Sequence, residues 1–203
     1  MDNIEKELEA GRAVILPTET VYGIFAKALD QEVVDYIYEL KRRPRDKALN
    51  LNVADEKTIR IYSKNQPSYL TKLIHSFLPG PLTIILQANE KVPNWIHSGL
   101  DTVGFRIPAH PKTLDLIRKF GPLVGPSANL SGHASGTKYR AIVSEFDQVV
   151  PGIEDDDFLT GQDSTILDIS SSKSRILRQG SITKADLLAQ VPELSFEEDE
   201  LPQ

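Results

Sequence analysis

Residues 102–107, Thr-Val-Gly-Phe-Arg-Ile, constrain the fold more than any other stretch, because apolar residues alternate strictly with small or polar ones. Successive side chains on a strand point to opposite faces. Val103, Phe105 and Ile107 therefore face one way, and Thr102, Gly104 and Arg106 the other. Arg106 and Thr102 then share a face, separated by a gap without a side chain. That face suits either a ligand site or a solvated sheet surface. Residues 13–16, 49–53, 82–87, 123–125, 148–150, 165–169 and 175–178 read as further strands.

Helical spacing falls between them. Asp30 reads as an N-cap, followed by Val33, Val34, Ile37 and Leu40 at helical intervals. Residues 56–62, 68–78 and 111–120 are also predicted helices, the second with Leu70, Leu73, Ile74 and Phe77 on one face. His75 on that helix is expected to be exposed or partly packed, without a catalytic role. Thr183 with Asp186 resembles a capping box for a last helix. Pro79-Gly80-Pro81 is a hard stop between elements.

Three stretches carry candidate chemistry. In Leu40-Lys41-Arg42-Arg43-Pro44 a helix runs into a proline, which disfavours helical geometry at the residue before it. That turn can aim Lys41 and Arg43 into one cavity, as recognition of a polyphosphate requires. Basic residues at a helix C-terminus also suit the helix dipole with no ligand at all. Pro17-Thr18-Glu19-Thr20-Val21-Tyr22-Gly23 sets hydroxyls, a carboxylate and a phenol between two turn formers. It reads as a site or as the cap of a following helix. Pro126-Ser127-Ala128-Asn129-Leu130-Ser131-Gly132 is small and polar, suited to close approach of a ligand or to a plain polar loop. Asp155, Asp156 and Asp157 are expected in a solvated surface loop.

Composition excludes several classes. The 203 residues are 40% hydrophobic and 26% charged, a soluble globular profile with material for one sizeable core. Absence of cysteine removes disulfides, zinc–thiolate sites and thiol nucleophiles. The N-terminus is charged and no apolar run reaches membrane-spanning length, so a cytoplasmic protein without membrane contact is expected. A net charge of −6 disfavours a general nucleic-acid binder. Residues 132–138 miss the phosphate-loop spacing, and no dinucleotide-binding, zinc-protease or hydrolase-elbow motif occurs. Residues 1–190 are expected to form one domain, with 191–203 an acidic tail lacking fixed structure.

Seven pieces together resemble the YrdC-like family of threonylcarbamoyl-AMP synthases. They are the 17–23 motif, Lys41-x-Arg43-Pro44, Pro79-Gly80-Pro81-Leu82-Thr83, Arg106-Ile107-Pro108, the 126–132 motif, Ser164-Thr165 and Leu177-Arg178-x-Gly180. They run in family order from about residue 4 to about residue 188. The resemblance implies an α/β fold: a twisted mixed sheet with flanking helices around a concave basic cavity. It implies formation of L-threonylcarbamoyladenylate and pyrophosphate from L-threonine, bicarbonate and ATP, with Mg²⁺ accompanying ATP. The product would pass to tRNA-modifying threonylcarbamoyl transferase machinery, with direct tRNA binding weak or absent. Lys41 and Arg43 would be catalytic and bind ATP together with Thr102, Ser127, Asn129, Ser164 and Arg178. Thr18, Thr20, Tyr22, Asn52 and Arg106 would bind threonine. Asn52 stands where many members carry a histidine, which leaves room for another small substrate. The chain is expected to be the form without the extra C-terminal domain of longer members. Two alternatives remain: a carbamoyl-adenylate enzyme with a different acceptor, as in the carbamoyl-transfer domain of hydrogenase-maturation proteins, or an RNA-binding module.

Overall fold

The computed structural model describes residues 2–197. Its strands are β1 (Val14–Leu16), β2 (Gly23–Lys27), β3 (Asn50–Asn52), β4 (Ser63–Lys64), β5 (Leu82–Ala88), β6 (Thr102–Arg106), β7 (Leu123–Val124), β8 (Thr165–Asp168) and β9 (Arg175–Arg178). The helices are α1 (Asp2–Glu9), α2 (Gln31–Leu40), α3 (Glu56–Tyr62), α4 (Leu70–Phe77), α5 (Asn94–His97), α6 (Pro111–Phe120), α7 (Tyr139–Ser144) and α8 (Lys184–Gln190). One twisted open sheet takes the order β1-β2-β7-β3-β6-β5-β8-β9, with β4 added beside β5. It is mixed: β3–β6 and β5–β8 are parallel pairs, and the other pairings are antiparallel.

Two cores explain the strand sequences. On one face Ile15, Ile24, Leu51, Ile84, Phe105 and Leu167 pack against Val34 and Ile37 of α2 and Leu70 and Leu73 of α4. On the other, Val14, Leu16, Phe25 and Leu123 meet Ile4 and Leu8 of α1 and Leu116 and Ile117 of α6. Strands covered on both faces read as unbroken apolar runs rather than alternations, which is why residues 13–16 are all apolar. Each such fully buried side chain contributes about 1.5–3 kcal/mol. The second core covers only the β1–β2–β7 end of its face. Beyond it, Asn50, Asn52, Thr83, Arg106 and Ile166 form the floor of an open cleft.

Locally encoded ends form where expected. Asp30 accepts a hydrogen bond from Val33 N–H, Pro111 opens α6, and Thr183 and Asp186 complete a reciprocal capping box. His75 is exposed, with Glu56 at 3.4 Å. Four expectations are corrected. The 17–23 motif leads into β2, whose residues pair with β1 and β7, and does not cap a helix. Residues 148–150 are not a strand: Val149 is 94% exposed, and the pairing with Ile15 falls later, through Pro151 O and Ile153 N–H. In the acidic 155–157 stretch only Asp157 is exposed as expected, and the other two are engaged. Asp156 accepts from the Tyr22 hydroxyl at 2.8 Å and from Tyr139 N–H at 2.9 Å, and Asp155 meets His110 Nε2 at 3.2 Å. Finally, the packed chain continues past residue 190. Val191 and Leu194 are buried, and Ser174 N–H donates to Ser195 O at 2.7 Å. Residues 198–203 lie outside the described part.

Candidate active site

The cleft floor follows from strand register. Leu51 and Phe105 point into the first core, so their neighbours Asn50, Asn52 and Arg106 point into the cleft. Parallel pairing sets Asn50 beside Gly104 and Asn52 beside Arg106. The cleft holds about 220 Å³, and its walls include Thr18, Tyr22, Arg43, Ser127, Asp163, Ser164 and Arg178. Three guanidinium groups and one carboxylate are thus the charged lining, a positive cavity in a chain of net charge −6.

Arg106 is the most tightly held of the three. Its Nη2 donates to Glu19 Oε1 at 2.8 Å, Thr20 Oγ1 at 2.6 Å and Thr18 Oγ1 at 3.4 Å. Glu19 Oε2 also accepts from Ala109 N–H at 2.9 Å, tying the 17–23 turn to the end of β6. The hydroxyls form a directed chain. Thr18 Oγ1 donates to Val21 O at 2.7 Å, which leaves Thr20 Oγ1 as donor in its 2.8 Å bond to Thr18 Oγ1. All three Arg106 bonds run through Nη2, and its Nε is buried without a partner, so the fork is braced along one edge and Nη1 retains donor capacity.

On the β8–β9 side of the cleft, Arg178 Nε donates to Ser164 O and its Nη2 to Ser164 Oγ, both at 3.0 Å, with Asp163 at 3.8 Å. Burial, opposed by Asp163 and reinforced by the Arg106 charge, moves the Arg178 guanidinium below its usual range. Ser164 Oγ lies 3.0 Å from Thr83 Oγ1. Arg43 reaches the cleft while donating from Nε to Lys47 O at 3.1 Å and from Nη2 to Ala48 O at 2.7 Å.

Several expected site residues stand elsewhere. Lys41 is only 2% exposed; its Nζ donates to the carbonyls of Ser127 and Asn129, and it does not line the cleft. Asn129 is buried, its Nδ2 donating to Leu130 O and His133 O, both at 2.9 Å. Thr20 sits behind Arg106, and Thr102 lies at the far end of β6 opposite Gln87; neither lines the cleft. Tyr22 lines it, but its hydroxyl is taken by Asp155 N–H and Asp156, and burial raises the phenol above its usual range. The gap at Gly104 is filled: a Cβ there would meet Asn50 Oδ1 at 2.2 Å. Asn52 is in the floor, Nδ2 pointing to Leu123 O at 3.4 Å.

Glu19, Asn50, Thr83 and Asp163 were missed as site residues. Asn50 was within reach, since it shares a strand face with Asn52. Glu19 and Thr83 stand inside quoted motifs and Asp163 beside one, with no signal that set them apart as site residues. Among the described residues no group of three or more His, Asp or Glu side chains could hold a metal, and no helix is long and apolar enough to cross a membrane.

A family model named Sua5/YciO/YrdC, with the description "Telomere recombination", matches residues 6–180. A Pyrococcus abyssi protein named threonylcarbamoyl-AMP synthase is 38% identical over 177 residues, covering 86% of this chain and 52% of the relative. The Bacillus subtilis protein of that name is 38% identical over 185 residues, 90% of this chain and 54% of its own. The chain thus spans about half the length of these relatives. One from Vibrio parahaemolyticus, 32% identical, is covered completely, by 89% of this chain. Among solved structures, P. abyssi Sua5 complexed with L-threonine superposes with a TM-score of 0.90 at 34% identity, over 96% of this chain and 58% of that one. The mixed sheet, the cleft at its uncovered end and the match over most of the sequence agree, and the chain belongs to the Sua5/YciO/YrdC family.

Proposed function

We propose that this chain forms L-threonylcarbamoyladenylate from L-threonine, bicarbonate and ATP. The observation carrying the proposal is the cleft itself, with the guanidinium groups of Arg43 and Arg178 in its walls and a braced Arg106 in its floor. Threonine's amine and bicarbonate condense to a carbamate with loss of water. A carbamate oxygen then attacks the α-phosphorus of ATP, and pyrophosphate leaves with the P–O electron pair. Transfers of this kind need positioning and charge neutralisation more than a protein nucleophile. Arg106 would take the threonine carboxylate through the part of its fork not engaged by Glu19. Arg43, Ser127, Ser164 and Arg178 would hold the nucleotide, with Arg43 neutralising charge that develops on the leaving pyrophosphate. The similarity to proteins named threonylcarbamoyl-AMP synthase, and to a Sua5 structure holding L-threonine, supports this substrate choice.

Mg²⁺ is proposed to arrive with ATP. Asp163 is the one carboxylate in the lining, which fits a metal held mainly by substrate phosphates and water with one protein carboxylate. There it would neutralise phosphate charge. The reaction is placed in the cytoplasm. The product passes to tRNA-modifying threonylcarbamoyl transferase machinery, and direct tRNA binding is weak or absent. The test is mass spectrometry of reactions with ATP, bicarbonate and L-threonine. The adenylate and pyrophosphate are expected only when all three are present. Adenylate formation with another amine and not with threonine would overturn the substrate; no adenylate with any amine would overturn the reaction.

A further inference from the structure

The turn after α2 reaches both sides of the cleft. Arg43 N–H bonds to Tyr38 O at 2.8 Å and Arg42 N–H to Glu39 O at 2.9 Å, the paired bonds of a Schellman ending. Arg42 takes the left-handed conformation, φ 49°, which glycine normally occupies there. A non-glycine residue keeps such a conformation only where its surroundings impose it. The reversal sends the two flanking cations apart. Arg43 grips the 47–48 carbonyls on one wall, and Lys41 grips the 126–132 loop behind the other.

Lys41 holds that loop at three points. Its Nζ donates to the carbonyls of Ser127 and Asn129, and its own carbonyl accepts from Ser131 N–H at 2.9 Å. Between these points the Asn129 side chain ties down Leu130 O and His133 O, while its own Oδ1 stays buried and unpartnered. Ser127 alone of this set faces the cleft. We infer that Lys41 is a positioning residue: it holds the 127–131 backbone so that Ser127 meets the nucleotide, and it does not itself contact the polyphosphate. The inference rests on the synthase reading of the cleft for its ligand, and on the three hydrogen bonds for its geometry. Burial, with the Arg43 charge adding and Glu145 opposing, pushes the Lys41 ammonium down to about 8. A neutral amine still has two N–H groups for two carbonyls, so the grip survives loss of the charge. A phosphate contact would not.

Lys41→Met keeps the length of the side chain and removes its donors. In the ligand-free protein, amide exchange across residues 127–131 is expected to speed up at least about tenfold, with the amides of α6 unchanged. The KM for ATP should rise about tenfold while kcat at saturating ATP stays within about threefold, because bound ATP restores the competent loop. Unchanged loop exchange would overturn the inference. So would a kcat about a hundredfold lower at constant KM, the mark of a lost charge-stabilising donor. Ser131→Pro removes the third bond and leaves the ammonium in place. It should also loosen the loop and raise KM by about threefold or more, and it carries the test if Lys41→Met does not fold. No effect of Ser131→Pro on either readout would likewise overturn the inference. Hydrogen exchange needs no turnover, so an inactive wild type would sink the synthase reading and leave the loop result standing.

Discussion

Arg106 and Lys41 are both cations withdrawn from solvent beside the same cleft, yet they are balanced differently. Arg106 lies against a carboxylate, with Glu19 at 2.8 Å and both side chains under 15% exposed. Lys41 has only carbonyl dipoles within hydrogen-bond reach. A buried ion pair holds its geometry strongly but leaves an expensive charge behind if one partner goes. An ammonium held by dipoles is more easily deprotonated: burial penalises its charged form, and the more distant Glu145 carboxylate offsets this only in part. The first arrangement suits a fixed donor for an anionic ligand. The second suits a grip on neutral backbone.

The largest test of that contrast is Arg106→Ala. It strands the Glu19 carboxylate, so a loss of about 3–5 kcal/mol is expected in chemical denaturation, together with loss of threonine binding in calorimetry. A loss as small as that of an exposed arginine would show that the pair is not buried in solution.

Next comes a pH experiment on Lys41. Its folded value of about 8 lies below the ordinary 10.5. Between those values the unfolded chain binds the extra proton, so stability from this group rises as pH rises from about 8 to 10.5 and is absent below 8. Relative to Lys41→Met, the wild type should gain up to about 3 kcal/mol across that window. A flat or falling difference would mean that the amine is solvated.

Glu19→Gln sharpens the Arg106 side. The amide oxygen can still accept from Arg106, but the amide nitrogen then faces Ala109 N–H, donor against donor. About 1–3 kcal/mol should be lost, with threonine affinity reduced about tenfold and ATP affinity unchanged. Equal losses for both ligands would remove Glu19 from the threonine side.

The smallest effect is expected from Arg42→Gly. Glycine relieves the left-handed backbone at φ 49°, a gain of about 1 kcal/mol or less after its greater chain entropy. Activity should be retained, since the side chain is mostly exposed and pairs only with Asp147 at 3.4 Å. A clear destabilisation would show that the Arg42 side chain, and not the turn, sets the divergence of Lys41 and Arg43.

The sequence by itself determined what depends on neighbours along the chain. Pro111 starts a helix that carries its own periodicity, Thr183 and Asp186 satisfy each other across one turn, and alternation in residues 102–106 decides which side chains share a face. These are short-range effects of capping, period and strand geometry. It also carried the family motifs, because their order survives without knowledge of where they meet. Tertiary structure decided the rest, through contacts between distant residues. Only parallel pairing of β3 with β6 puts Asn50 over Gly104 and closes the expected gap. Lys41 is buried because a loop 86 residues further on covers it, and nothing near position 41 encodes that loop. Asp155 and Asp156 read as solvated until Tyr22 and His110 arrive from other elements. Residues 191–197 look like an acidic tail until Ser174 offers them a backbone to pair with. Polarity along the chain says which groups need partners, and only the assembled fold says which partners they find.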